Sequence, residues 1–127
     1  MAKFIRGDIV VIPFPFSDLS QSKRRPALII ATLEGDDAIL CQITSKTIKD
    51  IYAIPIDDSD FDAGNLKQPG NIRPNRLFTA DSQIILYRAG HIRNDKMNQV
   101  VGELIEIMNC ADKRFTRFAA AAKSSGP

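Results

Sequence analysis

The chain has 127 residues, 44% of them apolar and 25% charged, and its seventeen Lys and Arg against fifteen Asp and Glu leave a net charge of +2. That is one domain's worth of sequence with enough apolar content to bury a core, which argues against a multidomain or repeat architecture. A charge so near balance neither supports nor excludes a nucleic-acid partner, so only its distribution along the chain is informative. Lys23-Arg24-Arg25 is basic, Asp57, Asp58, Asp60 and Asp62 are acidic, and Arg73, Arg76, Arg88 and Arg93 restore positive charge. Two distant cysteines, Cys41 and Cys110, form neither a zinc pattern nor a disulfide framework, which points to a reducing compartment. With no membrane-length apolar run and no signal-peptide core, the expected location is the cytoplasm, away from membranes.

In chain order, Gly7-Asp8 reads as a turn, and Ile9-Val10-Val11-Ile12 as a buried β-branched strand stopped by Pro13. Pro13-Phe14-Pro15-Phe16 should leave the sheet as an extended segment. The polar stretch from Ser17 to Arg24 has no periodicity and reads as a mobile loop, where ligand contacts tend to gather. Pro26 can open a strand but cannot sit inside a paired one, so the sheet should resume just after Arg25. Ala27 to Leu33 is then the second strand, Glu34-Gly35-Asp36-Asp37 a hairpin turn, and Ala38 to Thr44 the third strand. A short strand around Pro55 (Tyr52 to Ile56) suits a sheet edge. Asp57 to Gly70 reads as a long surface loop. Ile72 to Ala80 is extended, with Pro74 demanding an edge or a bulge. Ser82 to Ile85 is a single helical turn after Asp81, and Leu86 to Ile92 a last strand. Asn94 is a candidate N-cap. After it Met97, Val100, Val101, Leu104, Ile107, Met108 and Ala111 recur at helical spacing, which makes one apolar face. Phe115 and Phe118 continue that spacing beyond a break near Asn109-Cys110. The expected fold is mainly β: residues 1–127 as one small, strongly curved antiparallel barrel closed by a C-terminal helix, with a disordered tail over about 120–127.

Several chemistries find no support in these residues. There is no glycine-rich phosphate loop. His91 has no second His or Cys nearby to make a metal site. Asp57 to Asp62 lacks the glycine and glutamate of a calcium loop and reads as solvated. Two strand ends remain. Arg25 precedes the second strand and Thr44 ends the third, and the tight turn between them makes these strands antiparallel neighbours. From a turn centred on residues 35 and 36, the two lie about ten and nine positions out, at the same rim. Arg25 on its own reads first as a solvated loop cation. Beside a hydroxyl, with Ser45 and Lys46 adjacent, it becomes a phosphate-binding constellation suited to attack by a ribose 2′-hydroxyl.

Arg6-Gly7-Asp8-Ile9-Val10, then Lys23-Arg24-Arg25-Pro26-Ala27-Leu28-Ile29-Ile30, then Ile43-Thr44-Ser45 resemble, in order and spacing, the MazF/PemK family of type II toxin–antitoxin toxins. The likeness extends through Arg73, Leu77 to Asp81 and Gly90, over roughly residues 5–108. It implies an SH3-like barrel with a C-terminal helix and a homodimer. The implied activity is that of a metal-independent, sequence-selective endoribonuclease on single-stranded RNA, which leaves a 2′,3′-cyclic phosphate and a 5′-hydroxyl. The implied partner is an antitoxin whose disordered tail fills the RNA groove, and DNA would be met only through the toxin–antitoxin complex. No cofactor or metal is implied. The catalytic arginine and threonine of the family carry over to Arg25 and Thr44, with Lys23, Arg24, Ser45, Lys46, Arg73, Asn75 and Arg76 along the RNA path. Arginine is a poor general base, so charge stabilisation is the firmer role for Arg25. This sequence also departs from the PemK branch. Asn75 stands where that branch has an aspartate, and the first loop has no histidine; Phe78 stands where many members of the family carry an arginine. Thr79 and Asp81 then serve structure, capping the turn that follows. A non-catalytic alternative stays open: a barrel that binds a nucleic acid, or a protein target as the CcdB group does.

Overall fold

The computed structural model describes residues 3–14, 23–46 and 49–110. Seven strands form one antiparallel sheet: β1 (Asp8–Phe14), β2 (Lys23–Thr32), β3 (Asp37–Thr44), β4 (Ile54–Ile56), β5 (Phe61–Gly64), β6 (Gly70–Asp81) and β7 (Tyr87–Ile92). One helix, α1 (Asn94–Cys110), follows. The strand order is β4-β6-β3-β2-β1-β7-β5. The sheet curls into a half-barrel with α1 across one face, mainly β as the sequence indicated.

The unbroken apolar runs arise because the central strands are buried on both faces, and a strand's side chains alternate between those faces. Ile9, Leu28, Cys41 and Ile43 pack towards α1, joining Ile72, Ile92, Met97, Val100 and Leu104. Val10, Ile12, Ala27, Ile29, Ala38 and Leu40 form a second cluster, with Phe4, Phe78, Ile84 and Ile85 packed against it. The helical face inferred from the spacing is the buried one at Met97, Val100 and Leu104, whereas Met108 is 67% exposed. Asn94 is the first residue of the helix instead of its cap, since the Met97 amide already donates to the Arg93 carbonyl (3.0 Å). The helix continues through Asn109 without a break. Ala111, Phe115, Phe118 and the expected tail lie outside the described residues.

Three further expectations need correction. The second strand starts at Lys23, so Arg25 and Pro26 lie inside it, opposite Ile12 and Val11 of β1. Pairing with β3 begins only at Ala27, opposite Gln42. Pro26 is therefore tolerated because one edge of the strand is unpaired at that level, which is where a residue without an N–H can sit. Pro13 is accommodated in the same way: it pairs with Arg24, while β7 reaches no further along β1 than Val11. The remainder of the first loop, residues 15–22, lies outside the described residues. Finally, the acidic loop contains structure of its own. Asp57 and Asp60 form a capping box around a short 3-10 turn, and β5 then pairs with β7 at the second edge of the sheet.

Gly7-Asp8 anchors the start of the sheet. Asp8 is fully buried and accepts from the Ile5 amide (2.9 Å), with His91 Nδ1 at 2.8 Å and Arg88 Nη1 at 3.5 Å. Gly7 has φ +96°, and a Cβ there would stand 2.9 Å from His91 Cε1, so the backbone turn and the His91 ring both require glycine. The bulge demanded by Pro74 is present: β6 slips against β3 between the pairs Cys41–Leu77 and Gln42–Arg73, with residues 74–76 looped out. Asp81 caps the following 3-10 turn by accepting from the Gln83 amide (2.9 Å).

Candidate active site

The geometry of the rim follows from strand register. Ala27 faces Gln42, so two residues further along each strand Arg25 and Thr44 come level with each other. Ladder pairing has ended there, and the two strands separate around a cleft of about 190 Å³. Arg25 and Pro26 line it from β2, Gln42 and Thr44 from β3, and Arg73 and Phe78 from β6, with Lys46 at the mouth. Arg25 is half-buried and makes no hydrogen bond or ion pair among the described residues. Thr44 Oγ1 accepts from the Lys46 amide (3.2 Å), which leaves the hydroxyl hydrogen to donate elsewhere. The turn continues into Asn71, whose Nδ2 donates to the Lys46 carbonyl (3.4 Å).

Arg25 also borders a wider cleft of about 510 Å³. Arg24, Lys67 and Arg88 line it with Arg25, together with Ser45, Asn65, Gln68 and Tyr87, and no carboxylate is among the lining side chains. Such a surface attracts polyanions. A further cavity of about 400 Å³ lies at the other end of the β2–β3 hairpin, where Lys3 is set against Asp36 and Asp37; its mixed charge suggests no comparable ligand.

The residues named from the sequence are therefore distributed as follows. Arg25, Thr44, Lys46 and Arg73 share the narrow cleft, and Arg24 and Ser45 face the wide one. Lys23, at the outer end of β2, and Asn75 and Arg76, in the bulge, are exposed and line neither.

Asp50 is the residue that sequence reasoning missed. Its Oδ2 accepts from both Nε and Nη2 of Arg73, each at 3.2 Å, and its Oδ1 accepts from the Tyr52 amide (2.9 Å). The side chains of this ion pair are 21% (Arg73) and 9% (Asp50) exposed. Burial pushes the Asp50 carboxyl up, but the Tyr52 amide, hydrogen bonds from Arg73 and Asn75, and the Arg73 charge outweigh it and hold it below its ordinary value. The available signal was an Asp two residues before a residue whose amide it could accept, an Asx turn, but nothing local pairs it with an arginine 23 positions away. Tyr87, Arg88 and Lys67 were missed for the same reason, because β7 and the segment after β5 reach the rim only through sheet curvature. Cys41, close by on β3, is fully buried, and that burial pushes its thiol up to about 12.

Among the described residues no three His, Cys, Asp or Glu side chains gather as a metal site, and no helix is long and apolar enough to cross a membrane.

A curled antiparallel sheet backed by one helix, with cations concentrated at one rim, is a small SH3-like barrel. The chain matches the family of PemK-like, MazF-like toxins of type II toxin–antitoxin systems over residues 5–108. It belongs to that family. Its fold is similar to a mycobacterial endoribonuclease in complex with its cognate antitoxin (14% identity, TM-score 0.65, covering 86% of this chain and 96% of the other). It is also similar to MazF in a MazE–MazF structure from Deinococcus radiodurans (16%, 0.68, 84% and 96%). A third similar structure is the Mycobacterium tuberculosis toxin MazF-mt6 (14%, 0.63, 80% and 96%). A search of curated protein sequences found no significant match.

Proposed function

We propose that this toxin is a metal-independent endoribonuclease that cuts single-stranded RNA at selected sequences and arrests growth until an antitoxin neutralises it. The observation that carries this reading is that Arg25 and Thr44, from different strands, line one phosphate-sized cleft. In the proposed reaction the ribose 2′-oxygen attacks the adjacent phosphorus and the bond to the 5′-oxygen breaks. The products are a 2′,3′-cyclic phosphate and a 5′-hydroxyl, and the proton lost by the 2′-hydroxyl is balanced by the one gained at the 5′-oxygen. Negative charge builds on the phosphoryl oxygens in the transition state. The Arg25 and Thr44 backbones are set by their strands before the substrate arrives, so both donors already stand at the cleft when that charge develops.

RNA enters along the wide cleft, where Arg24, Lys67 and Arg88 hold phosphates and Tyr87 offers a stacking face. Lys23 and Arg76 extend the positive rim. Residues 17–24 and 57–71 shape base preference. The antitoxin lays an acidic segment over the same rim, and the toxin acts in the cytoplasm as a homodimer.

Purified protein is expected to cut single-stranded RNA in EDTA, to leave 5′-hydroxyl ends, and to stop bacterial growth when expressed without antitoxin. Arg25→Ala should lose cutting by at least about a hundredfold while remaining folded. Full activity in that variant would remove Arg25 from the mechanism. Growth arrest without RNA cleavage would favour a barrel that acts by binding alone.

A further inference from the structure

We infer that Asp50 is a positioning residue of the cleft: it fixes the plane of the Arg73 guanidinium so that the remaining N–H groups of Arg73 meet the RNA phosphate opposite Arg25. The inference rests on the ribonuclease reading above and adds a carboxylate to it.

Its basis is a chain of contacts. Arg73 stands opposite Gln42 in the β6–β3 register and lines the narrow cleft from the wall facing Arg25. Asp50 does not line that cleft. It lies behind Arg73 and grips the guanidinium along one side, taking Nε and Nη2 onto a single oxygen. Its own orientation is set twice. The Tyr52 amide holds Oδ1, and the Ala53 amide donates to the Asp50 carbonyl at 3.1 Å, closing a turn that presents the carboxylate. Asn75, in the bulge, is close enough to the carboxylate to help hold its pKa down.

An arginine on an open wall can adopt many rotamers, and ordering it on substrate binding costs free energy. Here that ordering is done when the protein folds. The guanidinium loses its freedom to swing and keeps donors along its other edge, and this favours geometry over raw charge. The Asp50 charge partly neutralises Arg73, so the pair contributes directed hydrogen bonds more than long-range attraction. Its loss should therefore appear in turnover more than in binding.

The test is steady-state cleavage of a fluorogenic single-stranded RNA oligonucleotide by wild type, Asp50→Asn, Asp50→Asn with Asn75→Asp, and Arg73→Lys, with thermal unfolding recorded for each. Asp50→Asn keeps the size and the Tyr52 contact and removes the charge. Its kcat should fall about 10- to 100-fold, the cost expected of a misplaced group, with KM within about threefold. Exchanging the amide and the carboxylate between positions 50 and 75 should return a negative charge to the neighbourhood of Arg73 and recover kcat at least about tenfold over Asp50→Asn. A role in folding alone would not produce that rescue in variants that unfold at the wild-type temperature. Arg73→Lys, which keeps the charge without the fork, should show the same kcat loss and covers the case in which Asp50→Asn does not fold. Wild-type kcat in folded Asp50→Asn or in Arg73→Lys would overturn the inference, as would an exchange variant no better than Asp50→Asn. A wild-type protein that cuts no RNA would defeat the ribonuclease reading and this inference with it. Normal cutting by wild type and Asp50→Asn alike would defeat the inference alone.

Discussion

Thr44 illustrates how one side chain can be committed in one direction and available in another. Its oxygen already accepts from the Lys46 amide, and its hydrogen is left to donate elsewhere. Replacement by valine keeps the branched shape and deletes both functions. Thr44→Val should therefore lower kcat for RNA by about 10- to 1,000-fold, the range for removal of one preorganised donor, whereas Thr44→Ser should stay within about tenfold of wild type. Comparison of the two variants with Arg25→Ala on one oligonucleotide checks this. Equal activity in Thr44→Val and wild type would reduce the residue to a turn former. Arg25 differs in that its base is held by the β1 ladder while its guanidinium has no partner among the described residues, leaving its donors for a substrate.

At the scale of elements, the half-barrel depends on close backbone approach at its second edge. β5 crosses β7 where Gly64, at φ +72°, lies opposite Gly90. A Cβ on Gly90 would fall 2.4 Å from the Ala63 carbonyl oxygen and 2.7 Å from Phe61 Cδ2. Backbone cannot yield as a flexible side chain would, so Gly90→Ala should destabilise the protein by about 1–3 kcal/mol through overpacking, read as a lower denaturant midpoint. A midpoint unchanged from wild type would mean that β5 moves aside at little cost. The turn before β5 reinforces this edge: the Arg93 amide donates to the Asp60 carbonyl (2.8 Å), and Lys96 Nζ reaches both Asp60 (3.4 Å) and the Pro55 carbonyl (3.0 Å). One lysine at the start of α1 thus joins the helix to β4 and to the turn before β5, elements near the two edges of the sheet.

For the whole molecule, two carboxylates give stability a defined pH dependence. Asp50 is held below its ordinary value for the reasons given above, and Asp57 is held low by hydrogen bonds from the Ser59 hydroxyl and amide and by the Lys96 charge. A group whose pKa is depressed on folding stabilises the native state above its unfolded value, about 3.9 for Asp. That contribution disappears as pH falls through the lower folded value, because the unfolded chain then binds more protons. Urea midpoints should accordingly hold steady from pH 7 to about 5 and decline below about 4. The decline should be shallower in Asp50→Asn combined with Asp57→Asn, and an equally steep one would assign acid sensitivity to other groups.

How much of this was legible beforehand depended on the range of each interaction. β1, the β2–β3 hairpin and the apolar stripe of α1 follow from local period and from turn residues. Thr44 could be placed beside Arg25 because a tight hairpin converts sequence distance directly into register. β5 was hidden in a polar stretch because edge strands bury little and carry a weak pattern, as its largely exposed residues show. Pro26 sits inside β2 because only β1 pairs with it at that level, whereas the bar on proline in a strand holds for two-sided pairing.

By itself, then, the sequence determined the mainly β architecture, the apolar helix face, the family, and the meeting of residue 25 with residue 44. All of these rest on contacts between near neighbours or on motifs preserved in order. Only the tertiary structure decided that Asp50 grips Arg73, that Arg88 and Tyr87 reach the rim beside Arg24, and that Asn75 and Arg76 stand outside both clefts. Those relations join segments tens of residues apart through the curl of the sheet, which the packing of all seven strands sets and no local pattern encodes, and through a bulge that Pro74 announced but whose slip against β3 only the register fixes.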